Sequence, residues 1–149
     1  MMFLMDVNVL VYAYREDVAH HQACHRWLES IVNSPKAFGY SEMVMSGFLR
    51  VVTHSKVFET PSDLSSAMRF VNQVRHAQNA VCIMPGARHW QIFADCLLQI
   101  DARGNDVPDA YLAALALEWN CEWVTMDKGF KRFKGLKCRN PMQLLSRNA

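Results

Sequence analysis

Four carboxylates occupy positions from which they can do chemistry: Asp6, Glu42, Asp109 and Asp127. Asp6 closes the apolar run Phe3-Leu4-Met5, Glu42 comes just after the run 37–40, and Asp127 just after the run 121–125. Asp109 follows Pro108 at the start of the apolar stretch Ala110 to Leu117. Each acid has a plain structural reading when taken alone. Asp6 suits a helix N-cap, and Glu42 and Asp109 suit the first turn of a helix, where the dipole favours negative charge. Together they form a pattern, because reactive groups in an open parallel sheet collect at the carboxyl ends of the strands. Four negative charges in a partly desolvated site repel one another strongly. No Lys or Arg adjoins all four in the sequence, so a hard divalent cation is the natural counter-charge. Ligation by oxygen alone points to magnesium or manganese rather than zinc. Such an ion activates water and stabilises charge on a phosphorus undergoing displacement, which makes phosphodiester hydrolysis the implied chemistry.

A second feature supports a polyanionic substrate. Lys128, Lys131, Arg132, Lys134, Lys137 and Arg139 follow Asp127 with no acid among them. The chain as a whole carries only +2, so this basic segment sits on a mildly acidic body and reads as a phosphate footprint. A charge run of this kind also suits a solvated loop; its place directly after Asp127 favours the functional reading.

These groups need elements to hold them. Residues 3–5 read as a buried strand and Val9 to Tyr14 as a short helix. Residues 19–32 form an amphipathic helix with Ala23, Trp27, Leu28 and Ile31 inward. His21 and His25 on it have zinc-ligand spacing, but no further His/Cys pair completes such a site. Ala37 to Tyr40 is a second strand. Ser41 caps the next helix, which runs through Val52; Gly47 within it implies close packing, and Arg50 and His54 face a ligand or solvent. A loop covers 54–61, and Ser62 caps a helix through Val74. Ala80 to Met84 is a third strand, 88–100 a helix, and 108–117 a buried helix with Pro108 at its first position. Cys121 to Thr125 is a fourth strand and Leu136 to Cys138 a last edge strand. Alternating strands and helices specify an α/β domain with a mainly parallel central sheet flanked by helices.

At 149 residues the chain is expected to be one domain, 1–149, with 146–149 a frayed tail. Its longest apolar runs are far short of a membrane span, and Met1 to Asp6 has no basic region of a signal peptide. Five scattered cysteines, odd in number and without a C-x-x-C, read as reduced thiols of a cytoplasmic protein.

The stretches M-D-V-N-V-L-V-Y-A, S-E-M-V-M-S-G-F-L-R-V-V-T-H, G-N-D-V-P-D-A-Y-L-A-A-L-A and T-M-D-K-G-F-K-R-F occur in that order across nearly the whole chain. In them the sequence resembles PIN-domain nucleases, and more narrowly the VapC-type toxins of bacterial VapBC toxin–antitoxin pairs. The resemblance implies a PIN-like three-layer sandwich and a magnesium- or manganese-dependent endoribonuclease. It implies Asp6, Glu42, Asp109 and Asp127 as metal-binding acids, with Asn8 and Thr125 as polar support. RNA becomes the polyanion met by Lys128, Lys131, Arg132 and Lys134. The implied partners are a VapB-like antitoxin and a second copy of the chain. One departure stands out: many family members carry a further acid two residues after the position of Asp127, and here that residue is Gly129. Asp106, close to the site in sequence, reads as a turn or cap residue, with support of the site acids as the alternative.

Two other functions share these features: a housekeeping RNA-processing nuclease without an antitoxin, and a non-catalytic RNA-binding module. Intact acids at all four positions argue against the second. Trp27, Phe48, Phe58 and Phe70 exceed what one small core needs. They suggest an apolar antitoxin groove between the helices at 19–32 and 41–54.

Overall fold

The computed structural model describes residues 1–147. Five short strands form one sheet: β1 (Phe3–Met5), β2 (Phe38–Tyr40), β3 (Ala80–Cys82), β4 (Glu122–Val124) and β5 (Cys138–Arg139). Their order across the sheet is β3-β2-β1-β4-β5, and every pairing is parallel. Seven α-helices connect or follow them: α1 (Val7–Tyr14), α2 (His21–Val32), α3 (Glu42–Val52), α4 (Leu64–Arg75), α5 (His89–Ile100), α6 (Asp106–Glu118) and α7 (Pro141–Arg147). A short 3-10 helix spans Lys128–Arg132.

The strand order decides where the helices lie. From β1 to β3 the chain steps one way across the sheet, then jumps back to β4 on the far side of β1. Right-handed crossovers therefore place α1–α4 on one face and α5–α6 on the other. The contacts agree: α1 packs on α2 and α3, α3 on α4, and α5 on α6. The result is the three-layer α/β sandwich implied by the sequence. The central strands β1 and β4 are buried, with Leu4, Met5, Trp123 and Val124 almost inaccessible, as expected of strands covered on both faces. β1 and β4 are also where the strand order reverses. The crevice above such a switch point is the usual ligand site of an open parallel sheet.

Several boundaries differ from the sequence expectation, each for a local reason. Helix α6 begins at Asp106, not Pro108; Pro108 is tolerated because the first N–H groups of a helix have no internal acceptor. Asp63 caps α4 by accepting from the Ser66 N–H at 2.8 Å, while the Ser62 hydroxyl accepts from Arg15 at 3.0 Å instead. Helix α2 starts at His21, because His20 adopts a left-handed φ of 68°. The edge strand is Cys138–Arg139, paired to Trp123 and Val124. Ser146 and Arg147, expected as frayed tail, belong to α7; residues 148 and 149 lie outside the described residues. Trp27 and Phe48 are core side chains, 2% and 0% exposed, while Phe58 and Phe70 are only half-buried. Phe70 lines a cavity of about 420 Å³ together with Tyr14, His21 and Leu28.

Gly47 does bring two elements together. A Cβ at this position would lie 2.9 Å from Cγ2 of Val7, the first residue of α1. The missing side chain lets α3 close on the start of α1, directly beside Asp6.

Candidate active site

Asp6 leaves β1 as the cap of α1. Its Oδ1 accepts from the Val7 N–H at 2.7 Å, and its Oδ2 accepts from the Thr125 hydroxyl at 2.7 Å. Thr125 lies at the end of β4, the strand paired with β1. The same hydroxyl oxygen accepts from the Asp127 N–H at 3.0 Å and from the Asn8 amide at 3.4 Å. The Asn8 carbonyl oxygen accepts from the Met126 N–H at 3.2 Å. One threonine thus fixes Asp6 relative to Asp127 across the switch point, and Asn8 ties α1 to the segment after β4.

Asp127 caps the 3-10 helix by accepting from the Gly129 N–H at 2.8 Å. A Cβ on residue 129 would stand 3.0 Å from that same oxygen, so a glycine suits the tight cap. Asp109 approaches from the first turn of α6. Asp6, Asp109 and Asp127 line one cleft of about 660 Å³ together with residues of α1, α3 and the loop at 57–58.

Electrostatics mark the three acids as one group. Burial pushes the Asp6 carboxyl up to about 6; its bonds from Thr125 and Val7 pull it down, and the charges of Asp109 and Asp127 push it further up. Burial also raises the Asp109 carboxyl, with the charge of Asp127 adding to the rise and Arg132 opposing it. A carboxyl raised above its ordinary range by burial and like charge is common at functional sites.

Glu42 is placed differently. It follows β2 in the first turn of α3, but its side chain accepts from Arg75 at 3.0 Å and is absent from the cleft lining. The structure brings three of the four predicted acids together and leaves the fourth, on α3, paired with Arg75 of α4.

Arg132 is the second departure. Expected to face RNA, its guanidinium reaches back to Asp106 at 2.9 Å and Asp109 at 3.3 Å. Asp106 also accepts from the Arg103 N–H at 3.0 Å. That bond, and then Arg132, hold its carboxyl below the usual range. Lys128, Lys131 and Lys134 are exposed and have no acid partner among the described residues. Lys128 and Lys131 border a small pocket of about 70 Å³ on the outer side of Asp127. His21 gives no metal site: its Nδ1 is 2.8 Å from the Tyr12 carbonyl, and His25 lies 3.6 Å from Glu29.

Met43, Ser46, Gly47, Arg50 and Val51 of α3 also line the cleft, and of these only Gly47 and Arg50 stand out in the sequence. Their spacing of three, four, seven and eight residues is the signal that puts them on one helical face.

A parallel sheet with acids gathered over its switch point defines an α/β domain of the PIN type. The model of the family described as PIN domain matches residues 3–136. Ribonuclease VapC43 of Mycobacterium tuberculosis is 42% identical over 95% of this chain and 96% of its own length. Ribonuclease VapC25 of the same organism is 34% identical over 94% and 99%. The chain belongs to the PIN-domain family, in its VapC ribonuclease branch. Solved structures share the fold. VapBC2 of Rickettsia felis bound to a fragment of its promoter DNA has a TM-score of 0.68 at 19% identity, over 94% of this chain and 98% of the other. Mycobacterium tuberculosis VapC20, a toxin that cleaves the sarcin–ricin loop, has a TM-score of 0.65 at 14% identity, over 87% and 92%. Among the described residues no helix is long and apolar enough to cross a membrane.

Proposed function

We propose that this chain is a divalent-metal-dependent endoribonuclease, the toxin of a type II toxin–antitoxin pair, acting in the cytoplasm as a single nuclease domain. The observation that carries the reading is the gathering of Asp6, Asp109 and Asp127 over the β1–β4 switch point in a chain so similar to VapC ribonucleases. The donor set suits a hard cation: it is all carboxylate, and burial and mutual repulsion work against full ionisation of Asp6 and Asp109 without a counter-charge. Among the described residues no three His, Cys, Asp or Glu side chains already form a chelating group, and Asp109 is engaged by Arg132. Magnesium is the proposed ion, with manganese as a substitute. When bound, it supplies Lewis-acid activation of water and neutralises charge at the phosphorus.

The protein's own part is positional. Asp6, Asp109 and Asp127 would hold the ion. Thr125 fixes the oxygen of Asp6, and Asn8 holds the backbone that carries Asp127. Glu42, in the first turn of α3, would complete the set on release from Arg75. Lys128, Lys131 and Lys134 attract the RNA backbone. A VapB-like antitoxin is the proposed partner, and a homodimer the proposed assembly. The test is cleavage mapping on whole-cell RNA with purified protein. Cuts that require magnesium or manganese, stop in chelator and are suppressed by the protein encoded beside this chain support the reading. Undiminished cutting in excess chelator overturns the metal chemistry.

A further inference from the structure

Three carboxylates line the cleft, and Arg50 is the only Lys or Arg that lines it with them. Arg15, Arg75, Arg132 and Arg139 each pair with an acid. Arg50 is exposed and makes no hydrogen bond or ion pair among the described residues. It is reached by the close approach of α3 to α1 at Gly47. One turn earlier on the same face, Ser46 is exposed and also lines the cleft. Tyr12 and Phe58 also line it, and the Arg15 guanidinium covers one face of the Phe58 ring at 4.0 Å.

From this arrangement we infer that Arg50, with Ser46, is the clasp for a second RNA phosphate, one that neighbours the scissile linkage. The inference rests on the ribonuclease reading above. A polyanion entering a cleft lined by carboxylates is repelled by them, and the one cation in the same lining sets which linkage settles over the acids. Guanidinium suits this role because it stays charged at all working pH and grips phosphate oxygens through two parallel N–H bonds. A serine hydroxyl at i−4 adds a neutral donor on the same face. In the same lining, the ring of Tyr12 and the face of Phe58 not covered by Arg15 offer a nucleobase a surface to stack on without selecting its identity. Arg50 is therefore a positioning residue: it sets the register of the strand and leaves the chemistry to the acids.

The test uses full-length protein and a short, fluorescein-labelled single-stranded RNA that contains one mapped cleavage site. Binding is read in chelator, so that nothing is cut. Each linkage is then replaced in turn by an uncharged methylphosphonate. Wild-type protein is expected to lose affinity when one linkage beside the scissile one is neutralised. Arg50→Ala is expected to bind the unmodified strand more weakly and to be indifferent to that one replacement. Its slope of log affinity against log salt should fall by about 0.7, the loss of one phosphate contact on a single strand. Arg50→Lys should restore the slope, Ser46→Ala should weaken binding with the slope unchanged, and Arg69→Ala, on α4 away from the cleft, should match wild type. In magnesium, Arg50→Ala should raise KM far more than it lowers kcat and should blur the cleavage position. Unchanged slope and linkage profile in Arg50→Ala overturn the inference while wild-type cutting keeps the ribonuclease reading. So does an Arg50→Ala variant that binds RNA normally but loses only the antitoxin, which would make Arg50 a protein contact. Wild-type protein that neither binds nor cuts RNA overturns both.

Discussion

The Thr125 hydroxyl donates to Asp6 Oδ2 at 2.7 Å while accepting from the Asp127 N–H at 3.0 Å. One side chain thereby spaces two of the three acids across the point where the strand order reverses. Thr125→Val keeps the shape and removes both bonds, leaving buried polar groups unpaired. A stability loss of roughly 1–3 kcal/mol is expected in urea denaturation. Cleavage should fall with it, and Thr125→Ser should recover most of both. A Thr125→Val protein as stable and active as wild type would show that the hydroxyl does not set the site.

The three cleft acids and Glu42 should separate by activity. Asp6→Asn, Asp109→Asn and Asp127→Asn are each expected to lower RNA cleavage by about a thousandfold or more, since an ion's contribution is worth several kcal/mol. Glu42→Gln should cost less, because Glu42 is absent from the cleft lining and is paired with Arg75. Single-turnover rates at saturating RNA decide the order. Equal losses at all four positions would place Glu42 fully within the ion's ligand set.

Asp6 should make the metal-free protein pH-sensitive. Its folded carboxyl lies at about 6, above the ordinary 3.8, so the folded chain holds the proton longer than the unfolded chain does. The stabilisation is complete below about pH 4 and is lost as pH rises through about 6. A shift of this size corresponds to roughly 2–3 kcal/mol. In chelator, Asp6→Asn is therefore expected to be more stable than wild type at pH 7.5, with the difference shrinking toward pH 4. Urea midpoints across that range measure it, and parallel profiles would exclude a raised carboxyl.

Gly47→Ala tests the α1–α3 approach. Alanine normally gains about 1 kcal/mol over glycine inside a helix. Here its Cβ meets the stiff, branched Val7 at 2.9 Å, and overpacking costs typically about 1–3 kcal/mol. A lower melting temperature in calorimetry is expected, together with a higher KM for RNA as α3 is pushed back. A higher melting temperature would mean that the two helices have slack between them.

The basic segment divides by partner. Lys128→Glu combined with Lys131→Glu should weaken RNA binding and flatten its salt dependence, with kcat at saturating RNA less affected. Arg132→Gln should act differently, because its charge already serves Asp106 and Asp109. Its main expected effect is on the metal concentration needed for half-maximal cleavage. Salt titrations of binding and magnesium titrations of activity keep the two effects apart.

Much of this protein is written in short-range signals. The apolar runs that end at Asp6 and before Asp127, the alternation of strands with helices, and the caps at Asp6 and Ser41 depend on neighbours only a few residues away. Such signals are legible without a structure, and they located the three acids of the cleft. Side-chain direction is a long-range property. Glu42 turns to an arginine 33 residues further on, and Arg132 folds back 26 and 23 residues to Asp106 and Asp109. Arg50 shares a cleft with the acids, where Gly47 lets α3 close on Val7. Charge and spacing marked these residues as polar groups near a site. Only the packing of α3, α4 and α6 around the β1–β4 crevice decided which acid each cation neutralises and which cation is left facing the cleft.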